Sequence, residues 1–244
     1  MSVDFGTVKF RPIHQDWIAM FAGNDVSTVV PVLRRVVALL GNDTVALEII
    51  SQAFIVAIQE QITSKAEVSV LAPYGLNTAQ FVQDGLRNLG QELFTRLAYQ
   101  LAEISLDIMF LVFGYEGDEP HLFTVDGRGS LDNHDLNGFW AIGSGCTNAL
   151  GTLFSVRLPL IFLPEGGVLY TLAKAKFNAE RAPGVGKMSM GIKMQSGGRA
   201  GLSITNDEME TLRRVWEAER PFDYSPEAAK AYEAIAAAKV KNDD

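Results

Sequence analysis

The spacing of apolar residues predicts an amphipathic helix close to the start of the chain. Valines and leucines recur three and four positions apart over residues 26–40, which places them along one stripe of a helix. Pro31 lies inside this stripe, so the helix is expected to begin near Ser27, where a proline is tolerated in the first turn. Gly41 is typical of a helix end, and the helix is therefore expected to stop before it.

Two longer helices are predicted to follow. Residues 45–65 are apolar on most sides in the first half, which predicts a helix covered by neighbouring layers. After a loop at residues 72–77, a row of apolar residues predicts one face of a third helix. Its members are Val82, Leu86, Leu89, Leu93, Leu97 and Ile104.

Segments rich in β-branched and aromatic residues predict strands on both sides of these helices. Residues 7–10 and 17–21 are the first two, with a turn at residues 11–16 between them. Further strands are predicted at residues 108–115, 121–125, 139–142, 188–194 and 201–205. A near-continuous apolar run makes the strand at residues 108–115 a candidate for burial on both faces.

Four more helical segments are predicted in the second half of the chain. They cover residues 149–154, 165–181, 207–219 and 226–241, the last of them rich in alanine. Strands and helices are thus grouped along the chain, and they do not alternate one by one. This grouping favours an α+β architecture built on antiparallel sheet.

Composition and charge exclude several classes of protein. The chain has 244 residues, of which 48% are hydrophobic and 20% charged, as in ordinary globular proteins. The net charge of −8 argues against a nucleic-acid partner, which requires a basic surface. No apolar stretch approaches the ~18 residues of a membrane span, and the first residues do not resemble a secretory signal. With a single cysteine, Cys146, a cytoplasmic location is expected.

Motifs for binding phosphate or metal are not present. A phosphate-binding loop at residues 182–187 would need a glycine where Arg181 stands and a serine or threonine where Met188 stands. The three histidines have no metal-ligand spacing with one another or with the cysteine. No cofactor and no metal site are therefore expected.

Two segments carry a resemblance to a known family. Lys9 opens a strand and lies fourteen positions before Gly23, which ends the next strand and precedes an amphipathic helix. Residues 120–126 read Pro-His-Leu-Phe-Thr-Val-Asp after a Phe-Gly-Tyr strand end. These segments resemble the lysine strand, the glycine turn and the central hairpin of proteasome β-subunits.

A third segment completes the resemblance. Residues 141–145 read Ala-Ile-Gly-Ser-Gly and lead into a helix, which is similar to the Gly-Ser-Gly turn of the same family. The resemblance covers roughly residues 6–194 and is interrupted by a helical insertion at about residues 59–104. This insertion indicates a divergent bacterial branch of the family and not an authentic proteasome subunit.

The resemblance implies a particular fold. Proteasome-like proteins of the N-terminal nucleophile (Ntn) hydrolase superfamily are four-layer αββα sandwiches, and we expect that fold here with an added helical insertion. The proteasome-like domain is expected to cover residues 1–220. A C-terminal Ala-rich helix and tail would then occupy residues 221–244.

The resemblance also implies a set of site residues. In this class a Thr, Ser or Cys at the mature N-terminus attacks the scissile carbonyl, and its own α-amine takes the proton. Lys9 would be the nearby cation, Gly23 the backbone donor to the oxyanion, and Ser144 a hydroxyl that supports the amine. Ordinary alternatives are a solvated strand lysine, a turn glycine and a serine that caps the following helix.

The residues ahead of Lys9 depart from the family pattern. In the family, two strands that bear the nucleophile and an acidic partner precede this lysine, whereas eight residues precede it here. Ser2 is rejected as the nucleophile because it is seven positions from Lys9 on one short segment. The acidic and serine residues that the family places before its last strand are also not evident near residues 182–186.

Three functional hypotheses follow from these observations. The first is a threonine-type peptidase whose nucleophile-bearing segment lies upstream of Met1. The second is a catalytically inactive structural or interaction subunit of the same fold, and the third is a small-molecule amidase. We expect a homo-oligomer with no nucleic-acid or membrane partner, and a peptide or unfolded-protein substrate if the chain is active.

Overall fold

The computed structural model describes residues 9–41, 45–156, 160–197 and 199–219. Within these ranges, seven strands form two antiparallel sheets: β1 (Phe10–His14), β2 (Trp17–Gly23), β3 (Ile108–Glu116), β4 (Glu119–Asp126), β5 (Leu131–Asn133), β6 (Gly191–Gln195) and β7 (Arg199–Ile204). The helices are α1 (Val26–Leu40), α2 (Leu47–Ala66), α3 (Thr78–Glu103), α4 (Cys146–Phe154), α5 (Glu165–Ala179) and α6 (Asn206–Glu219). The predicted α+β architecture with antiparallel sheet is therefore confirmed. The Ala-rich segment at residues 226–241 lies outside the described residues.

Helices α1 and α2 pack on one face of the five-stranded sheet, whose order is β1-β2-β3-β4-β5. Alternate residues of β2 face these helices, and Trp17, Ala19 and Phe21 belong to the shared hydrophobic core. Phe54 of α2 and Phe110 of β3 are fully buried there, with ring centroids 5.2 Å apart. Burial of such a side chain stabilises a fold by about 1.5–3 kcal/mol, so this layer fixes the course of β2.

The helix predicted from the apolar stripe is found as α1, although Val26, Val30 and Val37 of that stripe are 50%, 49% and 47% exposed. Its buried residues recur three and four positions apart, and they are Val29, Val32, Leu33, Val36 and Leu40. Gly41 ends the helix with a φ of 68°, a conformation that favours glycine. Arg35 binds Glu60 of α2 through two short hydrogen bonds of 2.7 and 2.8 Å, which joins the two helices at the surface.

The second helix is found where it was predicted, but its coverage is less complete than expected. Ile50, Phe54 and Ile58 are fully buried. Ile49, one position beyond Ile50, is 52% exposed. The first turn of α2 is therefore covered by the sheet on one side only.

The third helix differs from its prediction. The chain turns back at Gly90, whose φ of 75° and ψ of 164° are not helical, so α3 consists of two segments. Phe81 and Phe94 belong to different segments, yet their rings stack with centroids 4.7 Å apart. Because a straight helix would separate them by about 20 Å, the segments must pack as a hairpin. Phe81 is buried as a result, whereas Val82 and Leu86 of the predicted stripe are 74% and 50% exposed.

The helices between α2 and β3 form a unit with its own small core. We call residues 67–103 the helical arm; it comprises a π-helix (Glu67–Leu71), a 3₁₀ turn (Ala72–Tyr74) and α3. Leu71 and Leu97 are fully buried in this core, beside the stacked phenylalanines. The predicted insertion began near residue 59, but residues 59–66 continue α2 along the body of the protein.

Helices α5 and α6 pack together through a second core and a buried ion pair. Arg213 of α6 donates hydrogen bonds of 2.6 and 2.8 Å to Glu180, at the end of α5. Burial would raise the pKa of Glu180, but hydrogen bonds from Arg213 and Lys176 lower it overall, so the carboxylate is charged. Arg213 and Lys176 also donate to the carbonyls of Lys187 and Gly186, which anchors the loop before β6.

In the second half one strand prediction is wrong, and the strand predicted at residues 188–194 is found only from Gly191 onward, as β6. Residues 139–142 form no strand, because Phe139 and Ala141 pack against the core of α4 and α5. The fifth strand of the sheet is instead β5, which the sequence pattern missed because it is only three residues long. In the segment before β6, Met188 and Met190 are 73% and 59% exposed, the reverse of the predicted half-buried face.

The start of the chain also differs from its prediction. Residues 11–14, predicted as a turn, belong to β1, and the turn is confined to residues 15–16. Pro12 fits this position because β1 lies at the edge of the described sheet. The predicted strand residues 7–8 lie outside the described residues.

Candidate functional site

The last residue of β2, Gly23, directs its N–H group away from β3. Hydrogen-bonded and non-hydrogen-bonded pairs alternate along an antiparallel strand. The N–H of Asn24 donates to the carbonyl of Asp107 at 3.0 Å, so the neighbouring Gly23 is a non-hydrogen-bonded position relative to β3. Two residues earlier, the N–H of Phe21 donates to the carbonyl of Lys9 at 3.0 Å, on the β1 side. The N–H of Gly23 therefore points to the same side of β2 as Lys9.

Only glycine fits at the end of β2. Gly23 has a φ of 135°, which L side chains rarely adopt. A Cβ at this position would lie 2.1 Å from the carbonyl oxygen of Asp107. The absent side chain thus lets the turn approach the start of β3 closely.

Lys9 lies beside this turn, at the start of β1. Its carbonyl accepts the hydrogen bond from Phe21, and Phe10 is paired with Met20. Because β1 runs antiparallel to β2, Lys9 lies at the end of β1 that is nearer to Gly23. The side chain of Lys9 is exposed.

The Gly-Ser-Gly turn packs against the same strand end. A Cβ on Gly143 would lie 3.3 Å from the Cβ of Ala22, the residue before Gly23. Ser144 is exposed in this turn, and the N–H of Cys146 donates to the carbonyl of Gly143 at 3.0 Å. Ser144 thus lies between α4 and a glycine that approaches the residue before Gly23.

A third glycine allows α4 to approach α5. A Cβ on Gly145 would lie 2.7 Å from the Cβ of Ala179 and 2.8 Å from the carbonyl oxygen of that residue. Asn178 reinforces the contact by donating to the hydroxyl of Thr152 at 3.0 Å. The position of the Gly-Ser-Gly turn is therefore set by close helix packing behind it.

The structure brings the three predicted site residues to one end of β2. Gly23 ends the strand, Lys9 lies across from Phe21, and the turn with Ser144 contacts Ala22. These positions provide a backbone donor, a cation and a hydroxyl around one corner of the sheet. The catalytic roles assigned to Lys9, Gly23 and Ser144 remain predictions.

Sequence reasoning missed the residues that hold the Gly23 turn. Asp107 binds the turn through its backbone and its carboxylate, and the ammonium of Lys65 lies 3.5 Å from Asp25. Lys65 and Asp107 are forty or more positions from the turn in the sequence. A single sequence gives no signal for such long-range polar contacts.

The opposite end of the sheet contains all three histidines. His14 ends β1, His121 lies in β4, and His134 follows β5. His121 stacks on Trp17 and its Nδ1 lies 2.8 Å from Asp135. Burial would raise the pKa of Asp135, but hydrogen bonds from His121, the N–H of Leu122 and Asn133 lower it overall.

His134 is part of a buried hydrogen-bonded stack. Its ring lies 3.9 Å from the ring of Trp140, nearly parallel to it. Its Nε2 lies 2.9 Å from the hydroxyl of Thr124, which is also buried. Burial lowers the pKa of His134, and the charges of Asp132 and Asp135 oppose this effect. The ring is therefore neutral at pH 7 and acts in packing.

Among the described residues, no group of three or more His, Cys, Asp or Glu side chains has the geometry of a metal site. No helix in the described ranges is both long enough and apolar enough to cross a membrane.

No protein-family model matches this sequence, and no curated protein is significantly similar to it. Solved structures do match. One of them is the protein Anbu from Hyphomicrobium sp. strain MC1, in a form described as a (Gly-1) mutant. The TM-score is 0.55 at 13% sequence identity, over 94% of this chain and 86% of that chain. The chain has a proteasome-like fold.

This likeness confirms the fold predicted from the three sequence segments in its general form. At 13% identity it concerns the fold alone.

Proposed function

We propose that this chain is a proteasome-like Ntn hydrolase that cleaves peptide bonds, with its nucleophile on a segment ahead of Lys9. The observation that supports this most directly is the N–H of Gly23, which points to the side of β2 where Lys9 lies. Ser144 lies in a turn against the same strand end. A backbone donor, a lysine and a hydroxyl around one corner are what an N-terminal nucleophile requires from its surroundings.

The proposal includes the four-layer αββα sandwich. In the described residues the second sheet has two strands, β6 and β7, with α5 and α6 packed beside them. The hydroxyl of Tyr115 in β3 donates to the carbonyl of Met194 in β6 at 3.4 Å, which supports stacking of the two sheets. A two-stranded sheet has only marginal stability on its own. We propose that the strands that carry the nucleophile extend this second sheet.

The proposed reaction uses these groups in sequence. The N-terminal Thr, Ser or Cys attacks the scissile carbonyl carbon, and its α-amine takes the proton of the hydroxyl or thiol. Lys9 keeps that amine neutral by its positive charge, and Ser144 hydrogen-bonds to it. The N–H of Gly23 donates to the oxyanion, a contact worth about 10²–10³ in rate in other enzymes. The amine then passes its proton to the leaving amine, and water hydrolyses the acyl-enzyme.

We further propose a cytoplasmic homo-oligomer that acts on peptides or unfolded protein. The outer side of α1 supports self-association, because Val26, Val30 and Val37 are 50%, 49% and 47% exposed. These valines lie together on one flank of the helix, beside its buried residues. An apolar surface of this kind is typical of contacts between subunits.

Peptide hydrolysis by the protein purified from its own cells tests the proposal. A set of fluorogenic peptides measures kcat/KM for the native protein and for Lys9→Ala. Loss of the lysine is expected to lower kcat/KM by about 10²-fold or more. Lys193 gives a matched control. It is a half-exposed lysine of β6 that pairs with Glu165 of α5, and its replacement should leave hydrolysis unchanged. Undiminished turnover by Lys9→Ala would remove the role assigned to it.

An inactive interaction subunit is the second candidate. The observation in its favour is the loop at residues 181–187, which the ion pair of Arg213 and Glu180 anchors through backbone carbonyls. The family places an acid and a serine before its last strand, and this loop contains neither between Ala182 and Gly186. An oligomer with no hydrolytic activity on any peptide would favour this candidate.

A further inference from the structure

We propose that the root of the helical arm positions the Gly23 turn for catalysis, with Lys65 and Asp107 as positioning residues. The inference rests on the proposed function, because it concerns the backbone donor assigned to the oxyanion. Neither Lys65 nor Asp107 is placed in contact with substrate. Both act through the residues that follow Gly23.

Asp107 holds the turn through three hydrogen bonds. Its carbonyl accepts from the N–H of Asn24 at 3.0 Å and from the N–H of Asp25 at 3.2 Å. Its carboxylate accepts from the side-chain amide of Asn24 at 2.6 Å. Asp107 directly precedes β3, so these bonds tie the residues after Gly23 to the segment that leaves the arm.

Lys65 ties the other end of the arm to the same turn. It lies in the last turn of α2, and its ammonium donates to the carbonyl of Ser105 at 3.0 Å. The same ammonium lies 3.5 Å from the carboxylate of Asp25. One side chain therefore joins the segment entering the arm, the segment leaving it and the start of α1.

The backbone at this root is irregular on the arm side. The π-helix of residues Glu67–Leu71 follows α2 directly, two residues after Lys65. Such wider turns interrupt regular helix geometry and occur frequently at functional sites. The N–H of Thr78 donates to the carboxylate of Glu67 at 2.9 Å, which joins the start of α3 to the start of the π-helix. A displacement of the arm would therefore move Ser105 and Asp107, and through their hydrogen bonds it would move the Gly23 turn.

The side-chain contacts at the root contribute little to global stability. The side chains of Lys65 and Asp25 are 43% and 23% exposed, and ion pairs of this kind have small effects on unfolding. Their removal should therefore leave the fold intact and loosen the turn locally.

Amide hydrogen exchange of Asn24 and Asp25 measures how firmly their hydrogen bonds to Asp107 fix the turn. In Lys65→Met and Asp107→Ala we expect these two amides to exchange about three- to tenfold faster, the range that one hydrogen bond contributes. Lys65→Arg and Asp107→Asn retain a donor and an acceptor, so they should restore most of the protection. Lys193→Met is the matched control, since Lys193 is 38% exposed and its ion pair joins β6 to α5.

Steady-state kinetics of the native protein supply the catalytic readout. A displaced oxyanion donor weakens binding of the transition state more than of the substrate, so kcat should fall about 3- to 30-fold while KM stays constant. Faster exchange with unchanged kcat would overturn the positioning role. Unchanged exchange in both variants would overturn the hold on the turn whether or not the protein is active. Faster exchange in a protein that hydrolyses no peptide would support the hold and overturn the proposed function instead.

Discussion

The two ends of the five-stranded sheet differ in how their polar groups are used. At the glycine end, Gly23 and Gly143 carry no side chains, and the backbone N–H of Gly23 points to the side of β2 where Lys9 lies. At the histidine end, the side chains bind one another: His121 binds Asp135, and His134 binds Thr124. The proposed donors therefore lie at one end, whereas the polar side chains of the other end bind one another.

The comparison separates the residues proposed for catalysis from polar residues that stabilise the fold. Histidine is the residue most often associated with acid–base catalysis, yet His134 is buried in a stack with Trp140 and its pKa is lowered by that burial. The glycines contribute no titratable group, but they let the Gly-Ser-Gly turn and the start of β3 approach one strand end. The candidate site therefore depends on glycines, whose lack of a side chain permits this close approach.

The largest effect is expected from adding a side chain at the glycine end. Gly23→Ala would place a Cβ 2.1 Å from the carbonyl oxygen of Asp107 and force an unfavourable φ. Overpacking and backbone strain together should lower the free energy of unfolding by roughly 3 kcal/mol or more. Urea unfolding measures this loss. Gly117→Ala is the matched control, since that glycine also has a positive φ but no neighbour within 4 Å, and a similar loss there would contradict the packing argument.

The next effect is expected at the histidine end. Asp135→Ala removes the acceptor for the N–H of Leu122 at 2.6 Å and for the ring of His121 at 2.8 Å. Leaving such donors without a partner costs about 1–3 kcal/mol, which thermal or urea unfolding can measure. Peptide hydrolysis should persist under conditions where the variant is folded. A loss of activity in the folded variant would mean that the histidine end takes part in function.

The free energy of unfolding should depend on pH through Glu180, which helps to anchor the loop before β6. Because hydrogen bonds from Arg213 and Lys176 lower its pKa in the folded state, the unfolded chain binds the proton more tightly. Glu180 therefore stabilises the fold above its ordinary pKa of about 4.3, and this contribution is lost as the pH falls further. Glu180→Gln should weaken the dependence of unfolding free energy on pH between about 5 and 3. An unchanged dependence would contradict the ion pair.

The smallest effect is expected from the titration of His134. Burial lowers its pKa in the folded protein, so below about pH 6.5 the unfolded chain binds more protons. The contribution is present above this pH and is lost as the solution is acidified. His134→Gln should remove part of the decrease in unfolding free energy between pH 7 and pH 5, by up to about 1.4 kcal/mol per pH unit. Identical slopes in both proteins would show that His134 does not titrate as its burial requires.

Periodic apolar patterns predicted most helices of the fold correctly. Helix α1 is found as predicted, because most of its apolar stripe packs into the core that it shares with α2 and the sheet. The pattern failed at α3, where the single residue Gly90 reverses the chain and changes which side of the helix is inside. A stripe specifies a buried face only while the helix is straight.

The candidate site was predictable in part. The fourteen-residue separation of Lys9 and Gly23 matched a known family, and the structure brings both to one strand end. The contacts of Lys65 and Asp107 with the turn were not predictable, because they join residues 40 and 83 positions apart. Only the three-dimensional path of the helical arm brings them together.

The most direct test of the account is mass spectrometry of the native protein after treatment with a peptide that carries an electrophilic ketone. An Ntn hydrolase is predicted to carry the adduct on the α-amine and side chain of an N-terminal Thr, Ser or Cys that lies ahead of Lys9. The adduct should be lost when peptide substrate competes. A native protein that hydrolyses peptides but carries its adduct elsewhere, or that forms none at all, would contradict the proposed catalytic role of this corner of the sheet.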